Sequence, residues 1–78
     1  MARHGPPGRW QPNRRLGMDE LIIGGTFTAY VRKVPGSSQY EWRLYDDPNV
    51  GGFKDGAYAA QRAVRKALRE REARGKRS

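Results

Sequence analysis

Arg62, Arg65, Lys66 and Arg69 fall within two turns of a helix-patterned stretch, at spacings that gather cations on one side, with Tyr58 beside them. Arg71, Arg74, Lys76 and Arg77 continue the series to the end of the chain. Positive charges strung along a helix suit a row of phosphates, because each neutralised phosphate releases condensed counterions. A second group is Thr28, Tyr30, Arg32, Glu41, Arg43 and Tyr45, where two aromatics interleaved with two arginines could stack on bases or read groove edges. Arg14 and Arg15 add a third pair of cations near the N-terminus. Arginine outnumbers lysine twelve to four, which fits bidentate phosphate contact.

Catalytic chemistry finds little to work with. The single histidine, His4, lies in a stretch where nothing would fix its tautomer or position. Asp46 and Asp47 precede Pro48 and read as turn residues, and Asp19 with Glu20 reads as a helix start or a solvated loop. Gly24-Gly25 and Gly51-Gly52 lack the lysine and hydroxyl context of a phosphate cradle. The expectation is a binding module and not an enzyme, with no metal and no cofactor.

Composition sets the frame for these residues. A chain of 78 residues makes one small domain that buries a modest share of its surface. Without cysteine there is neither a disulfide framework nor a thiolate metal site, and a reducing, cytoplasmic setting is expected. No apolar run approaches the roughly 20 residues of a membrane-spanning helix, so no membrane partner is expected. The net charge of +8 is unevenly spread. Residues 1–17 carry four basic residues and no acid, residues 18–56 carry more acids than bases, and residues 57–78 carry eight bases against two acids. Both ends are polycationic, an arrangement that attracts polyanions.

The elements that would position the cations follow from periodicity. Residues 1–17, rich in Pro, Gly and isolated basic residues, read as a disordered basic arm whose one large apolar group, Trp10, either docks back on the domain, the favoured reading, or stacks on a ligand. Residues 26–34 and 39–45 alternate with period two around the turn Pro35-Gly36-Ser37-Ser38. A hairpin pairing Val34 with Gln39 sets Val31 opposite Trp42 and Ala29 opposite Leu44 on an inner face. The same register sets Arg32 opposite Glu41 as an ion pair, Tyr30 opposite Arg43 as a cation–π contact, and Thr28 opposite Tyr45. Val50 to Phe53 offers a short third strand, and Leu21-Ile22-Ile23 an edge strand or a plug over the core. Asp55 is placed to cap a helix from Gly56 to about Ala73, which Gly75 ends. Ala57, Ala60, Val64, Ala67 and Leu68 share the buried face of that helix.

The expected fold class is α+β, an antiparallel sheet of two or three strands packed by one C-terminal helix. It divides into the arm 1–17, a ββ(β)α domain over 18–74 and a basic tail 75–78. The core would comprise Phe27, Val31, Tyr40, Trp42, Leu44, Phe53, Val64 and Leu68. The exposed strand edge of so small a sheet allows a homodimer as well as a monomer.

In topology alone, residues 26–73 resemble the arm-site-binding domain of tyrosine recombinases and a double-stranded-RNA-binding domain without its first helix. Phe53-Lys54-Asp55-Gly56 brings one lysine where the RNA-binding family has a lysine-rich entrance to its last helix. Both resemblances imply nucleic-acid binding. The first functional expectation is thus a small accessory protein that grips DNA or RNA phosphates through its C-terminal helix and arm. The other is a protein-interaction module, such as a phage-encoded inhibitor or adaptor, anchored on an acidic protein surface by Trp10, Tyr30, Tyr45 and the arginines.

Overall fold

Glycine pairs and polar turns fold the first two thirds of the chain back on itself four times, and the last third is a single helix. The computed structural model describes residues 8–77, with side chains described through residue 74. Strands β1 (Arg9–Asn13), β2 (Met18–Ile23), β3 (Thr26–Lys33), β4 (Gln39–Leu44) and β5 (Gly51–Asp55) precede helix α1 (Ala57–Arg77). All neighbours are antiparallel and the spatial order is β1-β2-β3-β4-β5, a simple meander. The tight β2–β3 turn is Gly24-Gly25, with φ of +59° and +81°. A two-residue hairpin loop with both central residues at positive φ matches the strand twist, and glycine adopts it without steric cost.

The central hairpin forms in the register read from the sequence: Ala29 faces Leu44, Val31 faces Trp42, and Arg32 faces Glu41. Val34 N–H donates to the Gln39 carbonyl at 2.9 Å and closes the loop. On the helix side of the sheet Leu21, Ala29, Val31 and Leu44 meet Ala60 and Val64, all six essentially without solvent exposure. Trp10, Ile23, Tyr40, Trp42, Val50 and Leu68 pack around them. Helix α1 lies against β3, β4 and β5. Trp10, opposite Leu21 on β1, packs on the core beside it.

Several expectations are corrected. The sheet has five strands rather than two or three. The arm expected to be disordered supplies β1 from Arg9 onward; backbone pairing with β2 and burial of the Trp10 indole together offset the entropy of ordering it. His4 and Arg3 lie outside the described residues. Leu21 is a central core residue in a six-residue strand that lies between β1 and β3, so Leu21-Ile22-Ile23 is neither an edge strand nor a plug.

Phe53 and Phe27 are half exposed instead of buried. Phe53 follows Gly52, which faces Trp42, so alternation turns Phe53 to the other side opposite Glu41. Phe27 sits beyond a register shift between Leu21 and Ile22, and the bulge moves it to the rim of the sheet.

Asp55 closes β5 and accepts a hydrogen bond from Ser38 Oγ at 2.7 Å in place of capping α1. The helix also runs past Gly75 to Arg77. A glycine in a last turn costs no more than about 1 kcal/mol and does not by itself stop a helix.

Candidate nucleic-acid interface

Helix α1 buries Ala60 and Val64 against the sheet, and the rotation of 100° per residue then turns Tyr58, Arg62, Lys66 and Arg69 to solvent. The Arg62 guanidinium lies 5.8 Å from the centre of the Tyr58 ring, a cation–π contact one helical turn apart. Arg62, Lys66 and Arg69 border an open groove of about 480 Å³, which Trp42, Lys54 and Ala63 also line. Glu70 is the carboxylate of this groove. A side chain on Gly52 would lie 3.3 Å from Trp42 Nε1, so glycine there lets the indole lie flat on β5. Trp42 Nε1–H is buried without an acceptor among the described residues. Arg65 is half buried and engaged in a contact of its own, off the exposed row.

The opposite side of the sheet has a different electrostatic character. Glu41, only 8% exposed, takes Arg32 Nε on one carboxylate oxygen at 2.8 Å and Arg43 Nη2 on the other at 2.8 Å. Arg43 Nε adds a bond to Glu41 at 3.2 Å, and Arg43 Nη1 reaches the Pro48 carbonyl at 2.7 Å. The hydrogen-bonded Arg43 guanidinium, assisted by Arg32, holds the Glu41 carboxyl below its ordinary range despite partial desolvation.

Glu20, 6% exposed, accepts from Asn13 Nδ2 at 3.2 Å and from the Tyr45 hydroxyl. Partial burial and the facing Glu20 carboxylate push the ionisation of Tyr45 well above that of a free tyrosine. The Tyr30 and Tyr45 rings meet at 5.4 Å between centroids.

The Arg32–Glu41 pair forms as expected from the register. The cation–π contact expected between Arg43 and Tyr30 does not appear among the described residues, because Glu41 and the Pro48 carbonyl compete for the guanidinium.

The expected site residues are thus divided between two faces. Tyr58, Arg62, Lys66 and Arg69 lie on the helix side, with Arg65 half buried next to them. Tyr30, Arg32, Arg43 and Tyr45 lie on the far side of the sheet and are knitted into the Glu20 and Glu41 networks. Arg14 and Arg15 are exposed in the β1–β2 turn.

No protein-family model, curated protein or solved structure matches this chain.

Asp46 pairs with Arg71 at 2.7 Å, which lowers its pKa. Asp19 and Glu20 fall on opposite faces of β2, since Asp19 pairs with Val31 and Glu20 with Tyr30. Among the described residues no three potential metal ligands gather, and no helix is long and apolar enough to cross a membrane. Lys33 and Lys54 escaped the reading from sequence although the register contains them. Lys33 pairs with Tyr40 and Tyr40 with Lys54, a continuation of the alternation that placed Val31 opposite Trp42.

Proposed function

We propose that this protein is a small, non-enzymatic nucleic-acid-binding protein that takes a phosphate backbone along the exposed side of α1. One contrast carries the reading. The arginines at Arg32, Arg43 and Arg71 are engaged by carboxylates, the first two sharing Glu41 and the third bound to Asp46, whereas Lys54, Arg62, Lys66 and Arg69, gathered around one groove, form no ion pair among the described residues. Unpaired cations retain the field that steers a polyanion and the counterion release that binds it, while paired ones lose most of both. A cytoplasmic setting, where nucleic acid is the abundant polyanion, belongs to this reading. Docking on a protein is less favoured, because the exposed Phe53 and Phe27 do not form one patch. Phe53 lies opposite Glu41 on the far side of the sheet, and Phe27 borders a separate groove with Leu68 of the helix.

Titration of labelled oligonucleotides at rising salt tests the proposal. Four phosphate contacts give a log–log salt slope of about −3 to −4. The triple variant Arg62→Gln, Lys66→Gln, Arg69→Gln is expected to lose most of that slope, while Arg32→Gln keeps it. Absence of binding at low salt to either single-stranded or duplex oligonucleotides would refute the function.

A further inference from the structure

The groove beside α1 does not end at Lys54. Lys33, Tyr40 and Lys54 form one rung across β3, β4 and β5 on the helix side of the sheet, so their side chains emerge side by side at strand spacings of about 4.8 Å. Lys33 and Tyr40 in turn line a second opening of about 290 Å³ together with Arg14 from the β1–β2 turn. Asp19 borders that opening and Glu70 the first, one carboxylate in each. The result is a run of cations, Arg14, Lys33, Lys54, Arg62, Lys66 and Arg69, with Tyr40 in its middle and Tyr58 at its flank.

On the nucleic-acid-binding reading above, we infer that the ligand is single-stranded and that Tyr58 and Tyr40 are its stacking platforms. A duplex keeps its base faces inside and offers a protein phosphates and groove edges, so aromatic rings lying beside a phosphate track gain nothing from it. An unpaired strand offers a base face next to every phosphate, and cations interleaved with rings match that alternation. Tyr58 is 73% exposed, and Arg62 occupies only one side of its ring. The guanidinium backs the ring and leaves the other face for a base. Tyr40 is half buried and flanked by two lysines, which places phosphate contacts on both sides of a base laid over it. The track lies on the same side of the molecule as the helix cations, whereas the Tyr30–Tyr45 pair on the other face has its neighbouring arginines, Arg32 and Arg43, already bound to Glu41.

The test measures fluorescence anisotropy of labelled oligo-dT and oligo-U of about 15 nucleotides, and of a matched duplex, with the full chain at low salt. The expected result is single-strand binding at least about ten-fold tighter than duplex, with Tyr58→Ala losing about ten-fold on the single strand and Tyr58→Phe keeping nearly all of it. Lys33→Gln and Lys54→Gln, both at exposed positions, should each reduce the salt slope by about 0.7. Thermal unfolding of each variant establishes that the fold is retained. Equal binding of duplex and single strand, or full affinity in Tyr58→Ala, overturns the single-strand assignment and leaves the nucleic-acid reading standing. Absence of binding to all three probes removes both.

Discussion

Replacing Glu41 by glutamine removes the negative charge that holds two strands of cations together. The carboxylate is 8% exposed and accepts three hydrogen bonds from Arg32 and Arg43, at 2.8, 2.8 and 3.2 Å. A charge-assisted bond contributes about 1.5–3 kcal/mol where it is shielded, but the partner side chains are 47% and 30% exposed, so water screens a large part of each. The amide keeps one acceptor oxygen and leaves two guanidiniums facing each other without compensation. A net loss of about 2 kcal/mol follows, which in a domain of this size lowers Tm by about 8–16 °C.

The sign of the pH dependence is set by the lowered pKa of Glu41. The stabilisation is fully present above the unfolded carboxyl value of about 4.3 and disappears as pH falls through the lower folded value. Thermal unfolding followed by circular dichroism at pH 7 and near pH 2.5 should show a wide gap between native protein and Glu41→Gln at the higher pH and a narrow one at the lower. A shift below about 2 °C at pH 7, or a gap that stays constant with acidification, would show that the carboxylate is not the organising charge of this face.

Three further outcomes follow from the packing. Trp10→Ala should cost about 2–4 kcal/mol in urea unfolding, less than a fully buried indole because Trp10 is partly exposed; a cost under about 0.5 kcal/mol would mean that β1 is not part of the folded unit. Tyr45→Phe removes the hydroxyl bonded to Glu20 and should cost about 1–2 kcal/mol. In an absorbance titration of phenolate, the same variant should lose the most alkaline of the tyrosine transitions, since Tyr45 ionises above its free value. Gly51→Ala puts a methyl group 2.6 Å from the Trp42 carbonyl and should destabilise by about 1–3 kcal/mol, whereas Gly52→Ala, at 3.3 Å from the Trp42 ring nitrogen, should cost less; equal effects would contradict the β4–β5 packing.

Local periodicity was enough to read the central hairpin down to its rungs. Period-two alternation on both sides of Pro35-Gly36-Ser37-Ser38 left one register that satisfied both faces, and the Arg32–Glu41 pair came with it. The helix was equally legible, because the spacing of Ala60 and Val64 against Arg62, Lys66 and Arg69 admits one buried side. Of the candidate site, the helix cations and Tyr58 were readable for that reason. Lys33 and Lys54 were readable in principle, from the rung that Tyr40 shares with both.

Residues 9–13 were not readable. Pro12, isolated arginines and a lone tryptophan have no periodic signature, and their strand exists because Met18–Ile23 presents an unpaired edge and Leu21 leaves room for Trp10. Phe53 and Phe27 were misplaced because hydrophobicity states a preference for burial, whereas the side a residue faces depends on register with a partner strand, and for Phe27 on a bulge in the adjacent strand β2. The sequence by itself determined the α+β class, the hairpin register and the charged side of the helix, all set by neighbours close along the chain. Only the tertiary structure decided which cations stay available, since the carboxylates that engage Arg43 and Arg71 are chosen by which side chains the folded sheet and helix bring within about 3 Å of each other.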